Sequence, residues 1–295
     1  MRLYWYRGSE PNFGDELNQF VWPKLLPGAF DDDASTIFLG IGSILFDNHP
    51  KNARKIVMGA GYGGYTAPPD VSDGTWQFQF VRGPRTAAQL GLAPELAIAD
   101  SGILVRALVD RSVYEAKHVS FIPHVASLRR GQWKCVCEFT GIQFIDPRSS
   151  VEVVISQLLQ SNVVIAEAMH GAIIADALRV PWIPVYPMNP LNRMKWLDWT
   201  ESVEVDYRPV SLVPSTLDEL KLTRLSGSRI ASKLVSMLNE STLGRGANQR
   251  LLDFSAKQLL KTASAPSYLS DDRNLDRVTS RMLDKVEQFR RTLAS

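Results

Sequence analysis

The sequence has few cysteines, little excess charge and no long apolar run, and each of these absences excludes a class of protein. Its two cysteines, Cys135 and Cys137, are separated by one residue, so we expect neither a structural zinc site nor a disulfide framework. A reducing, cytoplasmic location fits this best. The formal net charge of +2 does not indicate a nucleic-acid partner or a polybasic membrane surface. No apolar run reaches the length of a membrane span, and the apolar N-terminal stretch is too short for a signal peptide.

Common nucleotide-binding and metal-binding motifs are also missing. The glycine turn Gly40-Ile41-Gly42-Ser43 follows a predicted strand, but the full dinucleotide fingerprint is absent and no acidic residue is clearly placed to bind a ribose. The chain has no Walker lysine and no metal-ligand spacing. We therefore expect no resident cofactor and no metal, while Gly42 and Ser43 could form part of a cradle for a phosphate or a sugar.

Strand-like and helix-like segments alternate along most of the chain. The predicted strands are residues 3–6, 36–40, 55–59, 77–81 and 97–99 in the first half, and 118–122, 143–145, 163–166 and 182–186 in the second. The predicted helices are residues 15–26, 86–90, 151–160, the stretch after Gly171, 217–239, 250–262 and 271–293. Strand–helix–strand units of this kind predict parallel sheets with helices on both faces.

Two such sets predict an α/β fold with two Rossmann-like domains, residues 1–112 and 113–215, and a C-terminal helical extension of residues 216–295. The cleft between the two domains is the expected active site. The last helix, residues 271–293, is amphipathic. We expect it to pack on the protein's own surface rather than on a membrane, because its polar face mixes both charge signs.

The most informative segment surrounds His170. An apolar run predicts a buried strand that stops at Glu167, and Gly171 opens an Ala-rich helical pattern. His170 is therefore expected in a strand-to-helix turn, where α/β proteins bind ligands and where the helix dipole favours an anion. A histidine that titrates near neutral pH is a credible acid–base group there. The alternative is a histidine that only hydrogen-bonds a loop.

A second cluster of candidates precedes the first long helix. Asn12 could cap this helix, and Asp15 favours its first turn, which explains both residues without any function. Gly14 between them would let the backbone approach a ligand closely. We therefore expect Asn12, Gly14 and Asp15 to contact a substrate as well.

Positive and titratable side chains follow several predicted strands. Arg82 and Arg85 flank a Gly-Pro turn, where arginines could clamp a carboxylate or phosphate, although solvated arginines are the commoner case. His124 is a second strand-end histidine, and Arg193 and Lys195 lie in a predicted loop of residues 186–195.

Four short motifs occur in an order that resembles one known family. They are Asn12-Phe13-Gly14-Asp15, Gly40-Ile41-Gly42-Ser43, Arg82-Gly83-Pro84-Arg85-Thr86 and Ala166-Glu167-Ala168-Met169-His170-Gly171. Their order and spacing resemble the polysaccharide pyruvyltransferases, and among these the exopolysaccharide, succinoglycan-type branch. The resemblance covers about residues 1–215 and does not extend to the C-terminal helices.

The resemblance implies a GT-B-like arrangement of the two domains. It also implies transfer of the carbon skeleton of phosphoenolpyruvate onto two hydroxyls of a sugar, which leaves a pyruvate ketal and phosphate. The implied partners are phosphoenolpyruvate and a lipid-linked or nucleotide-linked saccharide acceptor. A lipid-linked acceptor would bring the chain to the periphery of the inner membrane.

The expected roles of the site residues follow from this resemblance and from the strand-end positions. His170, Asp15 and Glu167 are the expected catalytic residues, with Glu167 orienting the His170 ring. The expected donor-binding residues are Arg82, Arg85, His124, Gly171, Arg193 and Lys195, and the expected acceptor-binding residues are Asn12, Gly14, Gly42 and Ser43. Other family members carry an arginine where this chain has Ala168. If that arginine holds the donor, another cation must do so here, and the candidates are Arg82, Arg85, Arg193 and Lys195.

Two alternative functions stay open. A nucleotide-sugar glycosyltransferase would share the fold class, and acceptor-dependent phosphate release from phosphoenolpyruvate would distinguish the two enzymes. A non-catalytic glycan-assembly protein would explain the loss at Ala168. The joint presence of Asp15, His124 and His170 argues against that reading.

Overall fold

Two separate parallel sheets organise the chain in the computed structural model, which describes residues 1–112, 114–186, 192–224, 235, 239 and 241–294. The first sheet has the order β1-β2-β3-β4, with strands β1 (Arg2–Tyr4), β2 (Thr36–Leu39), β3 (Arg54–Met58) and β4 (Trp76–Phe80). The second sheet has the order β6-β5-β7-β8, with strands β5 (His118–Ile122), β6 (Gln143–Phe144), β7 (Ser161–Ala166) and β8 (Trp182–Pro184). The α/β class is thereby confirmed. Each sheet falls within one predicted domain, and the domain boundaries stay a prediction.

Helices follow most strands, as the apolar periodicity predicts. They are α1 (Phe13–Leu25), α2 (Pro84–Gln89), α3 (Val125–Leu128), α4 (Trp133–Thr140), α5 (Val151–Leu159), α6 (Met169–Ala177), α7 (Asn192–Ser202), α8 (Leu217–Arg224), α9 (Thr242–Thr262) and α10 (Asp272–Ala294). The Ser150 hydroxyl caps α5, as expected, by accepting the Val153 N–H. Helix α6 begins two residues before Gly171, so His170 lies in its first turn rather than ahead of it.

One predicted strand is wrong. Residues 97–99 form no strand, and Ala97 makes only an isolated parallel bridge to Val81. A 3-10 helix, Ser101–Ala107, follows at once, and Asp100 caps it by accepting the Gly102 N–H at 2.8 Å. The apolar run is too short to specify a strand once this carboxylate offers the backbone a helical start.

Several helical predictions need correction. Helices α3, α4 and α7 were not predicted. Helix α7 occupies the end of the predicted loop of residues 186–195, of which residues 187–191 lie outside the described residues. Helix α9 begins eight residues before the predicted residue 250, after a Ser241 cap. Within the predicted helix 217–239, Leu217–Arg224 is helical, as are residues 235 and 239, and the others lie outside the described residues.

Apolar packing joins the two sheets, although each sheet also has a buried cluster of its own. A single cluster of buried side chains includes Phe13 and Phe38 from the first half with Ile122 and Ala166 from the second. Helix α1, from the first half of the chain, packs against α5 and α6 from the second half. The carboxyl ends of strands from both sheets are thereby brought to one region of the molecule.

The C-terminal helix returns to the first half of the chain. Helix α10 packs on the 3-10 helix Ser101–Ala107 and on β4, and its Phe289 ring lies 6.2 Å from that of Phe38. Five of its apolar residues at spacings of three and four are buried, namely Leu275, Val278, Met282, Val286 and Phe289, whereas Leu293 at the end of the series is 48% exposed. The prediction that this helix packs on the protein's own surface is confirmed. No helix within the described part of the chain is long and apolar enough to span a bilayer.

Candidate active site

A cavity of about 620 Å³ opens where strands of both sheets end. It is reached by the segments that follow β1, β2, β3, β5 and β7, which is the usual position of ligand sites in α/β proteins. Its lining residues are Tyr4, Tyr6, Gly8, Ser9, Glu10, Asn12, Asp15, Ser43, Ile44, Phe46, Asn48, Tyr65, Thr66, His124, Val125, Ala126, Arg129, Met169, His170 and Lys195.

The cavity brings together six of the residues that the sequence singled out. These are Asn12, Asp15, Ser43, His124, His170 and Lys195. The other candidates do not line it: Gly14, Gly42, Arg82, Arg85, Glu167, Gly171 and Arg193. Among the residues that the structure describes, no group of three or more His, Cys, Asp or Glu side chains is placed to hold a metal ion.

His170 lies between two carboxylates. Its imidazole is 13% exposed, and Nε2 faces Oδ2 of the fully buried Asp100 at 3.7 Å. This is an ion-pair distance rather than a hydrogen bond, and neither atom has a hydrogen-bond partner among the described residues. On the cavity side, the second carboxylate, Asp15, interacts electrostatically with the imidazole. Asp100 was not predicted, and only its position at the end of a short apolar run could have drawn attention to it.

Asp15 occupies the first turn of α1. Its Oδ2 accepts a hydrogen bond from Asn12 Nδ2 at 2.6 Å. Burial raises the pKa of Asp15, and the charge of His170, the Asn12 hydrogen bond and the charge of Lys195 only partly oppose this. Asn12 holds the N-cap position, but its side chain makes no capping hydrogen bond, so the expected side-chain cap is wrong. The Asn12 amide instead serves the carboxylate that faces the cavity.

Glu167 does not orient His170 as expected. Its carboxylate is 5% exposed, and it accepts the backbone N–H of His124 at 2.8 Å and the Ser127 hydroxyl at 2.7 Å. Burial raises the pKa of Glu167 to about 7, although both hydrogen bonds lower it. Glu167 therefore stabilises the start of α3 through these two hydrogen bonds. The carboxylate that lies beside His170 is that of Asp100, not that of Glu167.

His124 enters the cavity as a neutral side chain. Its Nδ1 accepts the Ala126 N–H at 3.1 Å, which leaves the ring proton on Nε2. Burial, together with the positive charges of Lys195 and Arg130, lowers the pKa of His124 to about 4. The ring therefore contributes a hydrogen-bond donor at neutral pH without a positive charge.

The glycine motifs make room for protein side chains. A β-carbon on Gly14 would lie 2.1 Å from Nδ1 of His170, and one on Gly171 would lie 2.6 Å from Cγ2 of Ile122. The close approach expected at Gly14 is therefore to His170, which packs directly against helix α1. Gly42 differs, because a β-carbon there would meet Oδ1 of Asp15 only at an ordinary contact distance of 3.7 Å, and its φ of +117° is what favours glycine.

The arginine pair has structural partners instead of open positions. Arg82 is fully buried, and its guanidinium donates to Asp198 at 2.8 Å, to the Ser43 hydroxyl at 2.7 Å and to the Tyr62 carbonyl at 2.8 Å. Arg85 is about two-fifths exposed and pairs with Glu201 at 2.6 Å. Asp198 and Glu201 belong to α7, so both arginines tie the first half to that helix. Their role in donor binding stays a prediction that this geometry does not favour.

The two positively charged side chains that do line the cavity, among the described residues, are Lys195 and Arg129. Lys195 donates to the Tyr65 hydroxyl at 3.1 Å, as part of the same helix α7 that Arg82 secures. Arg129 was not predicted, and it lies 3.1 Å from Glu10 with a hydrogen bond of 2.6 Å to Ser9. Arg193, which was predicted, is exposed and away from the lining. Only the nearness of Arg129 to His124 in the sequence could have indicated it.

Aromatic side chains line the cavity as well, although no motif in the sequence indicated them. They are Tyr4, Tyr6, Phe46 and Tyr65. Tyr6 and Tyr65 are 53% and 49% exposed, so the faces of both rings are accessible from the cavity. Asn48 and Thr66 supply amide and hydroxyl groups beside them. Flat apolar faces among neutral hydrogen-bonding groups are suited to a saccharide, whose ring has both apolar C–H faces and hydroxyls.

The chain is similar in sequence to a characterised biosynthetic protein. It is 41% identical over 227 residues to the succinoglycan biosynthesis protein ExoV of Rhizobium meliloti (strain 1021), and the alignment covers 74% of this chain and 70% of that protein. No family model matches the chain. No solved structure matches it either.

Proposed function

The chain belongs to the exopolysaccharide, succinoglycan-type branch of the polysaccharide pyruvyltransferase family, and we propose that it transfers the carbon skeleton of phosphoenolpyruvate to a saccharide as a pyruvate ketal. The observation that carries the proposal is the position of His170 and Asp15, side by side in a cavity that both sheets share. We propose a GT-B-like arrangement of the two sheets around this cavity, because strands of both end there.

The donor is an anion, and we propose that side chains and backbone N–H groups of the protein bind its charge. Phosphoenolpyruvate carries a carboxylate and a phosphate, and Lys195 and Arg129 are the described cations that line the cavity. The N-terminus of α6 adds free backbone N–H groups next to His170. The neutral His124 can donate one further hydrogen bond from Nε2. We infer that these groups hold the donor, in place of the cation absent at Ala168.

The acceptor is proposed to lie against the exposed tyrosines. Tyr6 and Tyr65 offer apolar faces to a sugar ring, and Asn48 and Thr66 can bind its hydroxyls. Because the family relative is named for succinoglycan biosynthesis, we propose an acceptor in exopolysaccharide assembly, lipid-linked or nucleotide-linked. A lipid-linked acceptor would place the reaction on the cytoplasmic side of the inner membrane.

The two acid–base groups can balance the reaction. Asp15, whose pKa burial raises, delivers a proton to the methylene carbon of the donor, and the adjacent carbon becomes electrophilic. A sugar hydroxyl attacks that carbon, and its proton passes to the neutral His170 imidazole. The carbon–oxygen bond to phosphate then breaks as the second hydroxyl adds. The proton of the second hydroxyl returns to Asp15, and the imidazolium proton leaves with the phosphate.

Phosphate release tests this function directly. The protein should release phosphate from phosphoenolpyruvate only when a glycan acceptor is present, and the product should carry a pyruvate ketal. His170→Gln should fold normally, bind phosphoenolpyruvate within a few-fold of the unmodified chain and lose about 10²–10⁴-fold in rate. His118→Gln, at an exposed position of β5, is the matched control and should retain full activity. Sugar transfer from a nucleotide sugar, without ketal formation, would instead identify a glycosyltransferase.

A further inference from the structure

Asp100 is a buried carboxylate with an incomplete set of partners. Its side chain is fully buried at the N-terminus of the 3-10 helix Ser101–Ala107. One oxygen, Oδ1, accepts the Gly102 N–H at 2.8 Å. The other, Oδ2, has no hydrogen-bond partner within the described parts of the chain and faces Nε2 of His170, which has none either. Buried polar atoms without partners are costly, and two that face each other indicate a paired role.

The surroundings of Asp100 keep it charged. Burial alone would raise the pKa of Asp100, but the facing His170 imidazole and the positive charge of Arg82 outweigh this and hold it below its usual value. The Gly102 N–H contributes in the same direction. A carboxylate accepts hydrogen bonds and cannot donate them, so the ring nitrogen that faces it must carry the proton.

We propose that Asp100 is the positioning residue of His170, which sets the imidazole proton on Nε2 and leaves the lone pair of Nδ1 to take the proton of the attacking hydroxyl. The consequence for chemistry rests on the proposed function, whereas the proton position is a property of the resting protein. Nδ1 of His170 faces Gly14, and Gly14 lies in the same first turn of α1 as Asp15. Asp100 also stabilises the imidazolium that forms when the hydroxyl proton arrives.

The substitution Asp100→Asn gives a sharp test because the Gly102 N–H fixes the orientation of the new amide. The amide oxygen must keep the position of Oδ1 to accept that N–H, so the NH₂ group takes the position of Oδ2 and points at His170. An NH₂ group is a donor, so it favours a bare Nε2 and moves the ring proton to Nδ1. The cap of the 3-10 helix is retained.

The proton position can be read from the ¹⁵N chemical shifts of the imidazole at about pH 8, where histidine is ordinarily neutral. The chain has four histidines, and His170→Gln identifies the signals of His170. The unmodified protein should show a protonated Nε2, and Asp100→Asn should show a protonated Nδ1. Turnover of Asp100→Asn should fall about 10²–10⁴-fold, with KM for phosphoenolpyruvate changed no more than a few-fold.

The matched control is Asp176→Asn. Asp176 is an equally buried carboxylate on α6, the helix that carries His170, and it accepts hydrogen bonds from Ser270 and Trp182. This variant should lose stability but keep the His170 proton on Nε2 and keep its activity per folded molecule.

The outcomes separate the two proposals. A protonated Nδ1 in the unmodified protein overturns the role of Asp100, and this measurement does not depend on whether Asp100→Asn folds. An unchanged proton position or unchanged turnover in Asp100→Asn also overturns it. If the proton moves as expected but the unmodified protein releases no phosphate with any glycan acceptor, the role of Asp100 stands and the proposed function fails.

Discussion

The imidazole of His170 lies directly against Gly14, so closely that a β-carbon there would be 2.1 Å from Nδ1. Helix propensity favours Gly14→Ala, whereas the steric contact opposes it. Since real β-carbons do not come this close to a neighbour, the ring must leave its position between Asp15 and Asp100. We expect a loss of turnover of about 10²-fold, because small displacements of a catalytic group are costly. Steady-state kinetics with phosphoenolpyruvate and an acceptor would measure it.

Gly246→Ala is the control for this substitution. Gly246 is also helical, in α9, and no atom lies within 4 Å of the position that a β-carbon would take. It should gain up to about 1 kcal/mol of stability through helix propensity, with unchanged turnover. Full activity of Gly14→Ala would show that the contact with His170 does not matter for the reaction.

The substitution Asp15→Asn distinguishes a catalytic role of this carboxylate from a purely structural role at the N-terminus of α1. If Asp15 only complements the dipole of α1, its loss costs about 0.3–1 kcal/mol of stability and turnover is kept. As a proton-transfer group it should lower turnover by about 10²–10⁴-fold in a folded protein. Thermal unfolding and phosphate release on one preparation decide between the two. Near-normal turnover would leave only the structural role.

Donor affinity tests the two cations of the cavity lining. Lys195→Met and Arg129→Met should each weaken phosphoenolpyruvate binding by about 1.5–3 kcal/mol, measured by calorimetry. Arg85→Met is the control, because this arginine pairs with Glu201 outside the lining. Weakened binding in Arg85→Met alone would return the donor site to the arginine motif that the sequence indicated.

The ion pair between Arg82 and Asp198 should matter for stability. Both side chains are fully buried. Arg82→Met therefore leaves a buried carboxylate whose remaining hydrogen bonds, among the described residues, come from Thr86. We expect a loss of about 3–5 kcal/mol in the free energy of unfolding, measured by urea denaturation. Loss of the exposed Arg85–Glu201 pair should cost about 1 kcal/mol or less. Equal losses for the two pairs would contradict this assignment.

His124 and Glu167 should give opposite pH dependences of stability. The pKa of His124 falls from 6.5 to about 4 on folding, so the unfolded chain binds the extra proton and His124 makes stability rise with pH between these values. The pKa of Glu167 rises from 4.5 to about 7, so the folded chain binds the extra proton and stability falls as pH rises through this window. Each slope is on the order of 1.4 kcal/mol per pH unit, and the two oppose each other where they overlap.

Single substitutions should expose the two slopes. His124→Gln should leave the fall of stability with rising pH that Glu167 causes, and Glu167→Gln should leave the rise that His124 causes. Urea denaturation at a series of pH values between about 4.5 and 6.5 would measure both. Curves of the two variants that run parallel to each other would show that these groups do not titrate as their burial requires.

Much of the fold could be predicted because it depends on local patterns. The unit of β7 and α6 follows from an apolar run and then a helical pattern, and α10 follows from its spacing of apolar residues. The predicted strand at residues 97–99 failed because Asp100 starts a 3-10 helix there. Helix α7 was missed because its pattern of apolar and polar residues is weak and much of its environment is the distant α2.

The residue pattern alone was enough to predict an α/β protein, a buried strand followed by a helix around His170, and membership of the succinoglycan-type exopolysaccharide branch. Which charged side chains meet depends instead on long-range packing, which the residue pattern does not show. Arg82 and Asp198 are 116 residues apart in the chain, yet they form a buried ion pair, while Arg129 and Lys195 line the cavity. Charged residues at strand ends look alike in a sequence. Long-range packing then buries some of them, such as Asp100 and Glu167, and leaves others, such as Arg129 and Lys195, lining the cavity.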